Sequence, residues 1–168
     1  SSRQRERVMH DLFTREGAGI GLSYVRIPIG ASDFSLHDIT YNDRPAGETD
    51  PDLEHFSINY DEAYIIPALL QAQALNPQLR FLGSPWSAPA WMKSNGQLHG
   101  GSLLPEYFQP FAEYLVRWIQ AYGEHGLTIN ALTPQNEPLH MNPGYPTMGM
   151  AAEAQQTFVR DHLGPALE

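Results

Sequence analysis

The sequence predicts an α/β fold built on a parallel sheet, and about half of an eight-stranded (β/α)8 barrel in particular. Two observations lead there. Segments of strand type alternate with segments of helical periodicity along the whole chain, in the order helix, strand, helix, strand, helix, strand, helix. Such alternation implies βαβ crossovers and parallel pairing. The strand-to-helix connections are long and the helix-to-strand connections short, the asymmetry of a fold whose site lies at the C-terminal ends of its strands. A third observation sets the extent. A complete barrel needs about 250 residues; this chain has 168, offers three strands, and begins and ends on a predicted helix, which leaves a small open sheet or, the favoured reading, part of a barrel.

The elements follow in order. Residues 3–15 read as a helix, with Val8, Met9, Leu12 and Phe13 as its apolar stripe and Gly17 as its cap. Residues 22–29, L-S-Y-V-R-I-P-I, read as a strand rich in β-branched side chains. Residues 30–60 form a long polar loop, and loops of that length in compact domains are usually functional. A helix is expected over 61–75, facing inward with Tyr64, Ile65, Ala68, Leu69, Ala72 and Leu75 and bent at Pro67. Residues 80–84 form the second strand. A second long loop with Trp86 and Trp91 leads to Pro105, which opens a helix reaching 125. Phe108, Phe111, Leu115, Trp118, Ile119 and Tyr122 give that helix a broad apolar face. Residues 128–133 are the third strand. The last helix spans 151–163 and is stopped by Gly164-Pro165.

Composition narrows the function. The formal net charge is -9, with 19 acidic and 10 basic side chains. Without a basic stripe to neutralise phosphates, nucleic acid is not an expected partner. There is no cysteine, hence no disulfide framework and no thiolate metal site. No apolar run approaches the ~20 residues that span a bilayer; the longest, residues 64–70, contains Pro67.

The candidate chemistry lies past the strand ends. T-P-Q-N-E-P-L-H, residues 133–140, sets Asn136 beside Glu137 after an apolar strand and breaks regular structure at Pro138. Asp33 and Trp86 occupy the equivalent place after the first and second strands. In a parallel sheet these ends share one face, so the three can converge: carboxylates and amides hold hydroxyls, an indole covers the C–H face of a sugar, and Glu137 can donate a proton. Singly, Trp86 and Trp91 read as loop packing, and Asp33 as a turn or cap residue.

Three stretches, S-Y-V-R-I-P-I-G-A-S-D-F-S (23–35), S-P-W-S-A-P-A-W-M-K-S-N-G (84–96) and T-P-Q-N-E-P (133–138), closely resemble glycoside hydrolase family 30, the glucosylceramidase-like enzymes, in order and in spacing. The resemblance covers nearly the whole chain, and the three together are far more specific than Asn-Glu-Pro alone. It implies a (β/α)8 barrel of which the strands here are the second to fourth, and a retaining mechanism. It makes Glu137 the general acid/base. Asp33 and Trp86 would bind hydroxyls of the sugar at the cleaved bond, and Asn136 its 2-hydroxyl, a contact that strengthens as oxocarbenium character develops. Arg26 and Tyr145 match family positions near the site. A retaining enzyme also needs a second carboxylate about 5 to 5.5 Å from the first, whose charge helps keep the acid protonated. In the family this nucleophile follows the seventh strand, beyond these 168 residues. The chain alone is therefore expected not to hydrolyse glycosides. No metal or organic cofactor is implied. The resemblance favours glucosylceramide as substrate, then a β-1,6-glucan, and it favours secretion.

Rival readings are weaker. Glu137 and His140 have the Glu-x-x-His spacing of di-metal bundles, but Pro138 sits inside it and there is one copy. Gly17-Ala-Gly-Ile-Gly21 precedes a strand, where a dinucleotide loop follows one. A non-catalytic, sugar-binding half-barrel would also fit; its open strand edges would favour self-association.

Overall fold

The computed structural model describes residues 2–168. Three strands, β1 (Tyr24–Ile29), β2 (Arg80–Pro85) and β3 (Ile129–Leu132), form one all-parallel sheet in the order β1-β2-β3. Helices α1 (Ser2–Phe13), α2 (Asn59–Leu75) and α3 (Phe108–Glu124) precede the three strands in turn. After β3 come α4 (Ala152–Phe158), a π-helical turn over Val159–Leu163, and α5 (Gly164–Leu167). This is the expected βαβ sequence, and it fits part of a (β/α)8 barrel. Within it β1 and β3 each keep one edge unpaired.

β1 is shorter than its apolar run. Leu22 donates its N–H to Leu12 O (2.8 Å) and Ile20 donates to Asp11 O (2.9 Å). The backbone of residues 20–22 thus ties down the end of α1, and pairing with β2 begins at Tyr24, opposite Arg80. β3 enters through an irregularity: Phe81 pairs with Ile129 and Leu82 with Ala131. The extra residue, Asn130, replaces the lost ladder bond with its own side chain, whose Oδ1 accepts the Phe81 N–H at 2.9 Å.

The core lies between sheet and helices. α3 inserts Trp118, fully buried, against Gly83 of β2. A Cβ at residue 83 would sit 2.5 Å from the indole, so this strand position must be glycine. Around it Tyr41, Phe56, Phe111, Tyr114 and Phe158 pack edge-on or stacked, with ring centres 5.5 to 6.0 Å apart. Asp61, buried at the start of α2, accepts hydroxyl protons from Tyr41 (2.5 Å) and Tyr122 (2.6 Å). Burial pushes its carboxyl upward, more than the two phenols pull it down.

Three expectations need correction. On α2, Leu69 and Ala72 are buried as expected and Ile66, 3% exposed, joins them, whereas Tyr64 is 70% exposed. Apolar side chains ring this helix, so periodicity alone did not separate Tyr64 from Ile66; the helix ends at Leu75 with Pro67 inside it, as expected. On α1, Phe13 is buried but Val8 is 54% exposed. Gly164-Pro165 does not stop the last helix. The backbone widens instead: the Gly164 N–H reaches back five residues to Val159 O. Pro165 then occupies the first turn of α5, where no N–H is required.

The β1–α2 loop, residues 30–58, is ordered by polar bonds rather than by regular structure. Buried Asp50 accepts from Asn42 Nδ2 (2.8 Å), from the backbone N–H of Glu54 (3.0 Å) and His55 (2.8 Å), and lies 3.1 Å from His55 Nδ1. Burial alone would push this carboxyl up; the donors outweigh it and hold the group well below the usual carboxylate range. The unfolded chain therefore binds the proton more readily, and the contribution to stability is complete above the ordinary aspartate pKa of about 3.9. It fades as pH falls from there toward the lower folded value. Thermal melts of the protein and its Asp50→Asn variant are expected to differ most above about pH 5 and to converge below about pH 4. A difference that widens on acidification would contradict this role.

Candidate active site

Parallel strands in matched register bring their C-terminal ends to one face: Ile29 is level with Pro85, and Gly83 with Leu132. The guanidinium of Arg26 on β1 spans that face. Its Nη2 donates to Ser84 Oγ of β2 (2.8 Å) and to Asn136 Oδ1 beyond β3 (2.5 Å). Its central carbon stands 4.6 Å from the ring centre of Trp86, within cation–π range. Ser84 Oγ also meets Thr133 Oγ1 at 2.6 Å. Because Asn136 Oδ1 takes the Arg26 proton, its Nδ2 is left as a donor. The Asn136 backbone N–H bonds Pro85 O at 2.8 Å.

Glu137 comes next. It is exposed, and no other side chain among the described residues hydrogen-bonds its carboxylate. Its φ is +43°, a left-handed conformation that costs a side-chain-bearing residue roughly 1–2 kcal/mol. The chain is held there from beyond the turn: His140 N–H bonds Glu137 O, and Met150 N–H bonds Pro138 O, both at 2.8 Å. The segment is an irregular turn, so Glu137 and His140 lack the helical spacing that a Glu-x-x-His ligand pair needs.

Of the residues singled out in the sequence, the structure puts Arg26, Trp86 and Asn136 in one cluster with Glu137 adjoining it. Tyr145 lies in the same loop as Glu137 and pairs with His140, Oη to Nε2 at 3.1 Å. Asp33 stands apart, exposed in a turn closed by Ser32 and Ser35, with its carboxylate unpaired among the described residues. Trp86 is only 8% exposed, so it cannot offer a whole ring face.

Sequence reasoning missed the groups that hold the loops. Gln135, 5% exposed, gives its amide to Trp86 O (2.8 Å) and Met148 O (3.1 Å). Lys93, the only lysine in the chain, is buried and donates to Ser87 Oγ (2.8 Å), Leu98 O (2.6 Å) and Thr147 O (2.8 Å). Burial pushes its ammonium down, to about 7. A lone lysine against nine arginines was the available signal. His99 joins the first and third loops, with Nε2 2.7 Å from Asp38 Oδ2 and Nδ1 2.7 Å from Pro143 O.

Comparison with known proteins identifies the family. The family model described as the glycosyl hydrolase family 30 TIM-barrel domain matches residues 1–168. The chain belongs to glycosyl hydrolase family 30. Among family 30 relatives, an endo-1,6-β-D-glucanase of Trichoderma harzianum is 40% identical over 164 residues, covering 90% of this chain and 34% of its own length. The lysosomal acid glucosylceramidase of Mus musculus is 35% identical over 159 residues, covering 89% and 30%. Of solved structures, the endo-β1,6-glucanase BT3312 superposes with a TM-score of 0.88 at 35% identity, covering 99% of this chain and 37% of that one. SrfJ from Salmonella typhimurium gives 0.89 at 31%, covering 99% and 36%. The chain thus spans about a third of the length of the curated relatives it matches.

The positive φ at Glu137 can be tested by substitution. Glu137→Gly is expected to leave stability unchanged or raise it by up to about 1 kcal/mol, since glycine adopts this conformation freely. Glu137→Val should lower it. Chemical denaturation of both variants measures the difference; a glycine variant less stable than the valine variant would contradict strain at this position.

Proposed function

We propose that this chain supplies the general acid/base and much of the sugar-binding face of a retaining β-glycosidase. The observation that carries the reading is the Asn136-Glu137 pair, fixed at the strand ends by Arg26 and by the strained turn that aims Glu137 outward. Glu137 gives its proton to the leaving oxygen as the C1–O bond breaks, then takes one from the water that attacks C1. Asn136 Nδ2 donates to the sugar 2-hydroxyl. Trp86 contributes an edge and its indole N–H, which has no partner among the described residues. Asp33 accepts from a further hydroxyl, and Tyr145 borders the aglycone side. The nucleophilic carboxylate comes from outside these 168 residues.

The resemblance of motifs puts glucosylceramide first; the relatives shift the preference to a β-1,6-glucan. Three of them are endo-1,6-β-glucanases, at 40%, 36% and 36% identity. The chemistry at Glu137 is alike for both substrates, because each leaves through a primary alcohol oxygen, a poor leaving group that needs the proton. One observation keeps the lipid reading alive. Leu139 and Met141, beside Glu137, are 83% and 59% exposed.

Turnover of β-1,6-linked gluco-oligosaccharides and of glucosylceramide by the complete enzyme tests both readings. The first is expected to be the better substrate, with the β-anomer released first. Glu137→Gln should lower kcat/KM by about 10²- to 10⁴-fold. Sugar binding without hydrolysis in the complete protein would contradict catalysis. Turnover by the pure 168-residue chain, lost in Glu137→Gln, would contradict an outside nucleophile.

A further inference from the structure

Lys93 and Gln135 are two buried polar side chains for which the proposed chemistry has no use. Each bridges the same two loops, residues 86–104 after β2 and 133–151 after β3. The Lys93 ammonium takes one acceptor beside Trp86, Ser87 Oγ, one in its own loop, Leu98 O, and one across the gap, Thr147 O. Three acceptors match the three protons of an ammonium, and no carboxylate pairs with it among the described residues. A buried cation held by neutral oxygens alone is costly, and bonds of this kind fix geometry more tightly than neutral ones.

Gln135 makes the complementary bridge. Both of its partners, Trp86 O and Met148 O, are carbonyls, so its amide orientation is unambiguous. The two bridges land on neighbouring residues at each end: 86 and 87 on one loop, 147 and 148 on the other. Thr147 extends the tie, since its Oγ1 accepts from the N–H groups of Gly100 (3.0 Å) and Asn142 (3.1 Å). Gln135 directly precedes Asn136 and Glu137. Met150, two residues past Met148, holds Pro138. The turn that carries Glu137 is therefore clamped from both sides by groups that Lys93 and Gln135 anchor.

We propose that Lys93 and Gln135 form a two-bolt clamp that sets the position of Glu137 relative to Trp86, and so act as positioning residues for proton donation to the leaving group. The proposal rests on Glu137 being the acid, as inferred above. A misplaced acid should hurt most where the proton matters most. Substrates with an alkyl leaving group need it; a dinitrophenyl glucoside departs largely without it. General damage to the fold would slow both alike.

The test compares kcat/KM of the complete enzyme on an alkyl β-glucoside and on dinitrophenyl β-glucoside, for wild type, Lys93→Met, Gln135→Met and Glu137→Gln. Displacing a catalytic group by about 1 Å can cost on the order of 100-fold. Each clamp variant is expected to lose about 10- to 100-fold on the alkyl substrate and less than about threefold on the activated one, reproducing the Glu137→Gln pattern in weaker form. Should Lys93→Met fail to fold, Gln135→Met decides. Equal losses on both substrates, or no loss in a folded clamp variant, overturns the clamp while a selective Glu137→Gln defect leaves the acid assignment standing. A Glu137→Gln variant without leaving-group selectivity overturns the acid assignment itself.

Discussion

One guanidinium holds the face together. Arg26 reaches from β1 to Ser84 on β2 and to Asn136 beyond β3, and lies against Trp86. The geometry is available only because the three strands are parallel and in register, so that side chains 58 and 110 residues apart in sequence meet at one end. Arginine suits the place because its planar fork keeps its charge and can bond two acceptors while stacking on a ring. With Asn136 Oδ1 committed to it, the amide has a single orientation and its N–H groups are left as donors. On the proposed function this fixes a donor in advance, which is how preorganised sites avoid reorganisation during reaction.

The fold beneath was largely legible. Alternating periodicities gave three strands and the helices between them, and the long strand-to-helix loops are present as expected. What was not legible had physical causes. On α2 the sequence placed Leu69 and Ala72 correctly but took Tyr64 for Ile66, because apolar residues surround that helix and only packing selects between them. Gly164-Pro165 reads as a stop, yet a π turn absorbs the missing N–H and the helix resumes. The start of β1 was set too early because tertiary bonds from residues 20 and 22 to α1 leave no local signature.

At the site the pattern is similar. Arg26, Trp86 and Asn136 were found through motifs, and the structure gathers them. Asp33, expected to converge with them, pairs with none of them. Trp86 is too covered by tertiary packing to serve as the flat platform expected of it. Lys93 and Gln135 escaped because all but one of their bonds run to backbone carbonyls, one of them for each residue across to the other loop, and carbonyls carry no side-chain identity to read. The strained backbone of Glu137 was equally hidden: positive φ at a non-glycine residue reflects the bonds on either side, not the residue itself.

The measurement that bears most directly on Arg26 is a double-mutant cycle in the complete enzyme, reading kcat/KM for Arg26→Met, Asn136→Ala and the pair. If Arg26 acts by orienting Asn136, the double variant should be no more than about threefold worse than the more damaged single variant. Losses that multiply would contradict that dependence and would make Arg26 and Asn136 independent contributors to the site.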